Sequence, residues 1–357
     1  MPVPAPIKKV VFKLAEKSSL VRRGVDGYRE WKLIRRHAGR KPVSDQSFGL
    51  LNLELTNKCP MRCVMCARTN NMEREQGLMA FETFKAIIDE YVARHPSRAA
   101  NEDTWLHHFG ESLVHPEYAR FVRYAVEKGV HACMSINPIM LTPNVADELL
   151  ATGIKKLYIS LDGHDDESFL AIRGVKDAYE KSKAHLLDFL KKKIERQCET
   201  HIVLSMIDFK LNRESIARQR GYWESIPGID EVLCKNFVTW NGDAADVNQL
   251  ADMQVDNTEV RKKHKMPSCN VPWETMSVTW DGIVVPCCYD YDKKYPLGDL
   301  KKETLADVWN GERMLKLRQE FIDNKVDNPL CRRCQVLYPS PNPADVPAES
   351  SSAAIGG

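Results

Sequence analysis

The sequence predicts an α/β fold: a partial (β/α)6 TIM-like barrel followed by a small C-terminal domain with its own cysteines. From about residue 48 to 245, short apolar runs alternate with amphipathic helical stretches, which is the pattern of parallel βα units. Six such runs occur, fewer than the eight strands of a closed ring. A polar, charged stretch near residues 245–265 then indicates a connection, after which cysteines recur.

Each predicted unit is a strand followed by a helix. The strands are LLNLEL, TWLHHF, HACMSIN, KLYISLD, HIVLSMI and EVLCKNFV, and the helices between them are FETFKAIIDEYVARH, PEYARFVRYAVEKG, VADELLATG, AYEKSKAHLLDFLKKKIER and RESIARQRGYWESI. Gly129 is expected to end the second helix, and Thr142 is a plausible cap for the third. Functional residues of such a fold should lie at the C-terminal ends of the strands.

Composition limits the classes of function. The 357 residues are 43% hydrophobic with a net charge of +2, yet residues 1–48 hold 12 Lys and Arg against 4 Asp and Glu. We therefore expect 1–47 to be a basic, partly helical extension that packs on the barrel exterior, with a membrane-surface or anionic partner as the alternative. We expect 48–245 to be the barrel, 246–338 the linker and C-terminal domain, and 339–357 a disordered tail.

No signal-peptide core and no run of 18 apolar residues is present in the sequence. We therefore expect a cytoplasmic protein with no transmembrane segment, and nothing in the main body suggests nucleic acid. Eleven cysteines in short-spaced sets fit metal or cluster ligation in a reducing compartment better than a disulfide scaffold.

Three cysteines crowd the loop after the first strand, within Leu51–Arg68. Cys59, Cys63 and Cys66 have the spacing C-x3-C-x2-C, which suits three corners of a [4Fe–4S] cluster and leaves one iron without a protein ligand. A structural zinc site normally closes with four ligands, and no fourth Cys or His stands near Cys66. A chance cluster of structural cysteines is the alternative.

This stretch resembles the signature of the radical S-adenosylmethionine (SAM) enzymes, with Met65 in place of the usual aromatic residue. The resemblance implies that the open iron chelates SAM and that an electron from the cluster cleaves SAM to a 5′-deoxyadenosyl radical. It also implies a reducing partner such as flavodoxin or ferredoxin.

The same resemblance implies a SAM pocket at the strand ends. Gly110 and Glu111 match the segment that receives the SAM ammonium, Ser160 and Asp162 match the Ser-x-Asp pattern near the ribose, and Arg173 is a candidate partner of the SAM carboxylate. The full set of implied SAM-binding residues is Met65, Gly110, Glu111, Asn137, Ser160, Asp162 and Arg173.

A second cysteine set lies in the C-terminal region. Its members are Cys269, Cys287, Cys331 and Cys334, with Cys288 as an uncertain fifth. We predict a hairpin that turns at Asp281-Gly282 and a helix from about Thr304 to Phe321. From the residues alone, four thiolates fit either zinc or a further [4Fe–4S] cluster.

The span from Cys269 to Cys334 resembles the SPASM or twitch domain of radical SAM enzymes, and its four well-placed cysteines resemble the twitch form. The resemblance implies a small C-terminal auxiliary cluster-binding domain with a second [4Fe–4S] cluster.

The expected function is hydrogen abstraction from a carbohydrate-like small molecule (a sugar, an aminocyclitol or a nucleoside), giving oxidation or a rearrangement. Similar twitch-bearing proteins include an aminocyclitol dehydrogenase. The alternatives are maturation of a ribosomally made peptide and a non-catalytic iron–sulfur electron carrier. Lys210, Lys235 and Cys288 are the candidate catalytic residues, whereas Cys133, Cys198 and Cys234 are expected to be small buried hydrophobes.

Overall fold

The structure is a computed structural model that describes residues 19–252 and 264–338. The strands are β1 Gly49–Leu53, β2 Thr104–Trp105, β3 Ala132–Ile136, β4 Lys156–Ser160, β5 His201–Asp208, β6 Glu231–Asn236, β7 Thr275–Val278, β8 Ile283–Val285 and β9 Gly298–Asp299. The α-helices are α1 Ser19–His37, α2 Ala67–Asn70, α3 Phe81–Arg94, α4 Pro96–Asn101, α5 Tyr118–Glu127, α6 Pro143–Leu150, α7 Asp166–Arg173, α8 Tyr179–Glu195, α9 Arg213–Glu224, α10 Ala245–Asn248, α11 Leu305–Trp309 and α12 Glu312–Ile322.

All nine strands form one sheet in the order β6-β5-β4-β3-β2-β1-β7-β8-β9. Strands β1 to β6 pair in parallel with their sequence neighbours, as βα units require. Strands β6 and β9 do not pair with each other, so the sheet is open and the predicted partial barrel is confirmed.

The C-terminal hairpin extends this sheet. Strand β7 pairs in parallel with β1, and β7 and β8 form the predicted antiparallel hairpin. Gly282 lies in its turn with φ 86°, a conformation that favours glycine. The second cysteine set is thereby anchored beside the strand that precedes the first set.

The two faces of the barrel sheet differ in polarity. Side chains such as Leu157 and Ile159 are fully buried on the helix side, whereas Asn52 and Ser277 are hydrogen-bonded to each other across β1 and β7 on the inner side. Because helices cover the outer face, that face is continuously apolar. The inner face, by contrast, carries polar side chains.

Local details differ from the sequence predictions. The helix predicted from Thr304 to Phe321 is two helices, α11 and α12, because the chain leaves helical geometry at Asn310 and Gly311. Thr142 occupies the N-cap position of α6, but its side chain makes no capping hydrogen bond there. Helix α7 was not predicted.

The end of the N-terminal extension contacts the C-terminal region as well as the barrel. Arg40 stacks over the ring of Trp273 at 4.4 Å, and the Trp273 Nε1–H donates to the Lys41 carbonyl at 3.1 Å. The sequence predicted packing on the barrel exterior and did not anticipate these contacts with the C-terminal region. Residues 1–18, part of the linker and the predicted disordered tail lie outside the described residues. Within the described part of the chain, no helix has the length and apolarity needed to cross a membrane.

Candidate active site

The first cysteine set lies in the loop that follows β1. Cys63 is buried, and its thiol accepts a hydrogen bond from Arg173 Nη1 at 3.6 Å. The backbone N–H of Cys66 donates to the Cys63 carbonyl at 3.2 Å, which folds the loop on itself. Burial raises the pKa of the Cys59 thiol to about 12 and that of Cys66 to about 11. A metal cluster that holds thiolates would offset this cost, and the adjacent guanidinium compensates their charge.

The buried carboxylate of Asp162 forms an ion pair with Arg173 and holds its guanidinium in place. Asp162 is fully buried and pairs with Arg173 Nη2. The second oxygen of Asp162 accepts hydrogen bonds from Asn212 Nδ2 at 2.6 Å and from the Ile207 backbone N–H at 2.8 Å. Three donors, on helix α7, on strand β5 and at the N-cap of α9, therefore fix this carboxylate, and it fixes the guanidinium beside Cys63.

The loop after β2 approaches the cysteine loop closely. Gly110 has φ 111°, and a Cβ at this position would lie 2.4 Å from the Thr56 carbonyl oxygen, so only glycine fits. Glu111 is buried and accepts hydrogen bonds from the backbone N–H groups of Asn137 at 2.8 Å and Leu113 at 3.2 Å. Burial raises the pKa of Glu111 to about 7. A bound cation would favour the charged carboxylate.

Asn137 lies between these groups. Its side-chain oxygen accepts from the Ile139 N–H at 3.1 Å, while its buried Nδ2 has no hydrogen-bond partner among the described residues. Burying an unpaired amide is costly, so this donor fits a ligand that supplies an acceptor.

The inner face of the sheet carries a row of hydroxyl groups. The Ser160 hydroxyl lies 3.3 Å from that of Ser135 on one neighbouring strand and 3.3 Å from that of Ser205 on the other. Lys235, on β6, places its ammonium 4.2 Å from the centroid of the Tyr158 ring. Burial lowers the pKa of Lys235 to about 8.

His107 completes this inner surface. Its Nδ1 accepts from the Ser135 backbone N–H at 3.1 Å, so the proton of the neutral ring lies on Nε2. Burial, with a contribution from the charge of Lys235, lowers the pKa of His107 to about 3. The histidine is therefore a neutral hydrogen-bond donor at physiological pH.

Lys210 is not part of this surface. Its exposed ammonium donates to the Gln249 carbonyl at 2.8 Å. Lys210 and Lys235 were equal candidates in the sequence, but only Lys235 lies on the inner surface of the barrel.

The second cysteine set surrounds one cavity of about 160 Å³. Its lining includes the sulfur-bearing residues Cys269, Cys287, Cys288, Cys331 and Cys334. The remaining walls are almost entirely apolar, and burial raises the pKa of each of these thiols. A partly open apolar cavity ringed by cysteines fits an iron–sulfur cluster as a resident group.

Three aromatic residues link the two cysteine sets. No sequence pattern predicted that they would lie together. The Trp240 Nε1–H donates to the Met65 carbonyl at 3.0 Å, and the Trp240 ring lies 5.0 Å from Phe109 and 5.9 Å from Tyr289, measured between centroids. Tyr289 lines the second cavity. Trp240 also has φ 54°, which could not be foreseen for a tryptophan.

His108 makes a second link. Its Nε2 lies 3.0 Å from the Cys288 carbonyl, and burial lowers the pKa of this histidine to about 4. Nearby, Glu54 forms a two-pronged ion pair with Arg74 at 2.6 and 2.7 Å. Glu54 also accepts from the Trp280 backbone N–H at 3.1 Å, and Arg74 Nε donates to the Tyr291 carbonyl at 2.6 Å, so polar contacts join the end of β1 to the C-terminal domain.

Two family models match the chain. The model described as the radical SAM superfamily matches residues 53–216, and the SPASM model, described as an iron–sulfur cluster-binding domain, matches residues 269–335. Together they cover more than half of the sequence, and each contains one of the two cysteine sets.

Relatives of known function are similar along most of the chain. The tungsten-containing aldehyde ferredoxin oxidoreductase cofactor-modifying protein of Pyrococcus furiosus is 25% identical over 80% of this chain and 87% of its own length. The S-adenosyl-L-methionine-dependent 2-deoxy-scyllo-inosamine dehydrogenase of Niallia circulans is 22% identical over 81% of this chain and 94% of its own length.

Solved structures share the fold. BtrN in complex with AdoMet and 2-DOIA has a TM-score of 0.53 at 17% identity, with 81% of this chain and 94% of that one covered. Streptococcus suis SuiB bound to the precursor peptide SuiA has a TM-score of 0.60 at 13% identity, with 89% and 80% covered.

Proposed function

Because the chain belongs to the radical SAM superfamily and is an enzyme with a SPASM-type iron–sulfur domain, we propose that it abstracts hydrogen from a carbohydrate-like small molecule. The substrate would be a sugar, an aminocyclitol or a nucleoside, and the outcome oxidation or a redox-neutral rearrangement. The observation that carries this proposal is the row of hydroxyl groups on the inner face of the barrel, with Lys235 beside it.

The contacts at the strand ends support the SAM-binding roles proposed for Glu111 and Asn137. Cys59, Cys63 and Cys66 would hold a four-iron cluster, which would supply the electron for reductive cleavage of SAM. Glu111, with its pKa raised by burial, would receive the SAM ammonium, and the free amide of Asn137 would donate to a nearby oxygen.

The inner surface suits a substrate with several hydroxyl groups. Ser135, Ser160 and Ser205 each offer a donor and an acceptor, and His107 adds a neutral donor. A purely apolar substrate would leave the remaining donors and acceptors of these groups without partners, which is costly in a buried site.

Lys235 is the proposed proton acceptor in an oxidation. After hydrogen is removed from the carbon that bears the hydroxyl, the substrate radical must lose the hydroxyl proton and one electron to become a carbonyl. Neutral Lys235 would take the proton, and an auxiliary cluster held by the C-terminal cysteines would take the electron. Burial lowers the pKa of Lys235 to about 8, so about a tenth of the side chain is unprotonated at pH 7, far more than for an ordinary lysine. No described side chain forms an ion pair with this ammonium that would hold the proton in place.

The C-terminal cysteines would hold one auxiliary [4Fe–4S] cluster through Cys269, Cys287, Cys331 and Cys334, which all line the same cavity. Cys288 also lines this cavity, so its thiol is available as an alternative ligand or as a hydrogen donor. The Trp240 ring would separate the two centres.

Peptide maturation is the second candidate. SuiB bound to its precursor peptide has a higher TM-score to this chain than BtrN has. The SPASM match fits both candidates equally well.

The test uses protein that carries about eight iron atoms per chain, the content of two four-iron clusters. This protein is incubated anaerobically with SAM and a reductant. Candidate sugars, aminocyclitols and nucleosides would carry deuterium on ring carbons. We expect deuterium in 5′-deoxyadenosine from one of these classes, and none with the Cys63→Ala variant. Transfer only from a peptide would favour maturation, and absence of 5′-deoxyadenosine from the loaded protein would contradict both proposals.

A further inference from the structure

The amino ends of the barrel strands carry a second cluster of polar side chains, away from the carboxyl ends where the candidate active site lies. It consists of Asp103 before β2, His131 before β3 and Cys133 within β3. Cys133 and Asn137 are four residues apart along β3, which corresponds to about 13 Å of extended chain. The cluster therefore belongs to neither cysteine set described above.

The three side chains offer one nitrogen, one sulfur and one oxygen at ligand spacing. His131 Nδ1 lies 3.1 Å from Asp103 Oδ1 and 3.6 Å from Cys133 Sγ, and all three atoms lie within 4.8 Å of one another. In a tetrahedral zinc site, the usual metal–ligand lengths place a nitrogen about 3.3 Å from an oxygen and about 3.6 Å from a sulfur. The observed separations match two edges of that tetrahedron.

Aromatic rings close this cluster off from the substrate surface. Trp105 pairs in register with Cys133, and its ring lies 4.8 Å from that of Tyr158 at an interplanar angle of 75°. These two rings form a layer between the cluster and the upper inner surface. About a third of the His131 and Asp103 side-chain surface is exposed, so an ion can enter from the bottom of the barrel.

From these contacts we propose that Asp103, His131 and Cys133 bind one divalent zinc ion at the base of the barrel. A ligand set of imidazole, carboxylate and thiolate is typical of zinc, a borderline-soft ion, and a water molecule would fill the fourth position. Binding releases the Cys133 thiol proton to solvent, and His131 ligates as the neutral ring with its proton on Nε2. The ion with two anionic ligands is then electrically neutral.

Lys156 limits the affinity of this site. Its ammonium lies 3.1 Å from Asp103 Oδ2, on the carboxylate that also faces the histidine. A positive charge at this distance opposes a divalent cation. Replacing it with Lys156→Met should tighten zinc binding on the order of tenfold, as expected for charges a few ångströms apart in a water-like medium.

The test uses the anaerobic holoprotein with both cysteine sets loaded, so that zinc does not enter vacant cluster sites. The protein is dialysed against zinc sulfate, and zinc and iron are counted by plasma emission. We expect one zinc ion per chain in the natural sequence and in the control Cys198→Ser, whose partly buried cysteine lies outside all three sets. Cys133→Ser and the partly exposed His131→Ala should lose that ion while retaining iron.

A competition titration with a zinc indicator then measures affinity in the natural sequence and in Lys156→Met. Equal zinc content in the natural sequence and in both ligand variants, or looser binding in Lys156→Met, would overturn the proposal. Because these measurements do not depend on SAM cleavage, they test the zinc site separately from the proposed enzyme activity.

Discussion

Asp162→Asn removes one negative charge from the buried network behind Cys63 and leaves its shape almost unchanged. Asp162 accepts from Arg173, Asn212 and the Ile207 backbone N–H, and every one of these partners is a donor. An asparagine offers one oxygen and one NH2 group. At least one donor must therefore face another donor, and the buried guanidinium loses its carboxylate counter-charge.

Removing one partner of a buried ion pair lowers the free energy of unfolding by about 3–5 kcal/mol. Since each kcal/mol shifts the midpoint of a chain of this size by a few degrees, the thermal midpoint should fall on the order of 10 °C. Asp147→Asn is the matched control, because Asp147 makes its ion pairs with Lys192 and Arg196 at the surface. Surface pairs contribute about 0–1 kcal/mol.

Thermal unfolding of the cluster-loaded protein under anaerobic conditions measures both variants. The double variant Asp162→Asn/Arg173→Met should lose less than the sum of the single variants, because it no longer buries an unpaired charge. A loss for Asp162→Asn no larger than that for Asp147→Asn would refute the reasoning, as would strict additivity in the double variant.

Two further predictions concern the loops and the inner surface. Gly110→Ala should lower SAM affinity and iron content, because its Cβ would lie 2.4 Å from the Thr56 carbonyl in the chain that leads to the cysteine loop. In the control Gly129→Ala, φ is also positive but no atom lies within 4 Å, so it should retain both properties; equal losses would contradict the steric argument. For Lys235, with a pKa of about 8, product formation should rise as the pH passes through 8, because only the neutral amine accepts a proton. Lys235→Arg stays protonated and should lose product while still forming 5′-deoxyadenosine, and an unchanged pH profile would exclude Lys235 as the base. The free energy of unfolding gives a second readout. The pKa of Lys235 is about 8 in the folded protein and has its ordinary value of 10.5 in the unfolded chain, so between these two pH values the unfolded chain binds more protons. The free energy of unfolding should therefore rise with pH in this range.

The sequence determined the alternation of strands and helices and the first cysteine set. Cys59, Cys63 and Cys66 lie within one loop, and the spacing of residues so close in the chain is visible without tertiary structure. The order of β1 to β6 also followed from the sequence, because short βα connections make consecutive strands neighbours, whereas the pairing of β7 with β1 did not.

Only the tertiary structure decided which residues share a surface. Lys210 and Lys235 have equal standing in the sequence, yet one lies at the surface against Gln249 and the other beside Tyr158 inside the barrel. Likewise, Ser135 and Ser205 approach the same hydroxyl from positions 70 residues apart. Such contacts depend on the register of neighbouring strands and on which face of the sheet each side chain occupies, and these are fixed when the whole sheet packs.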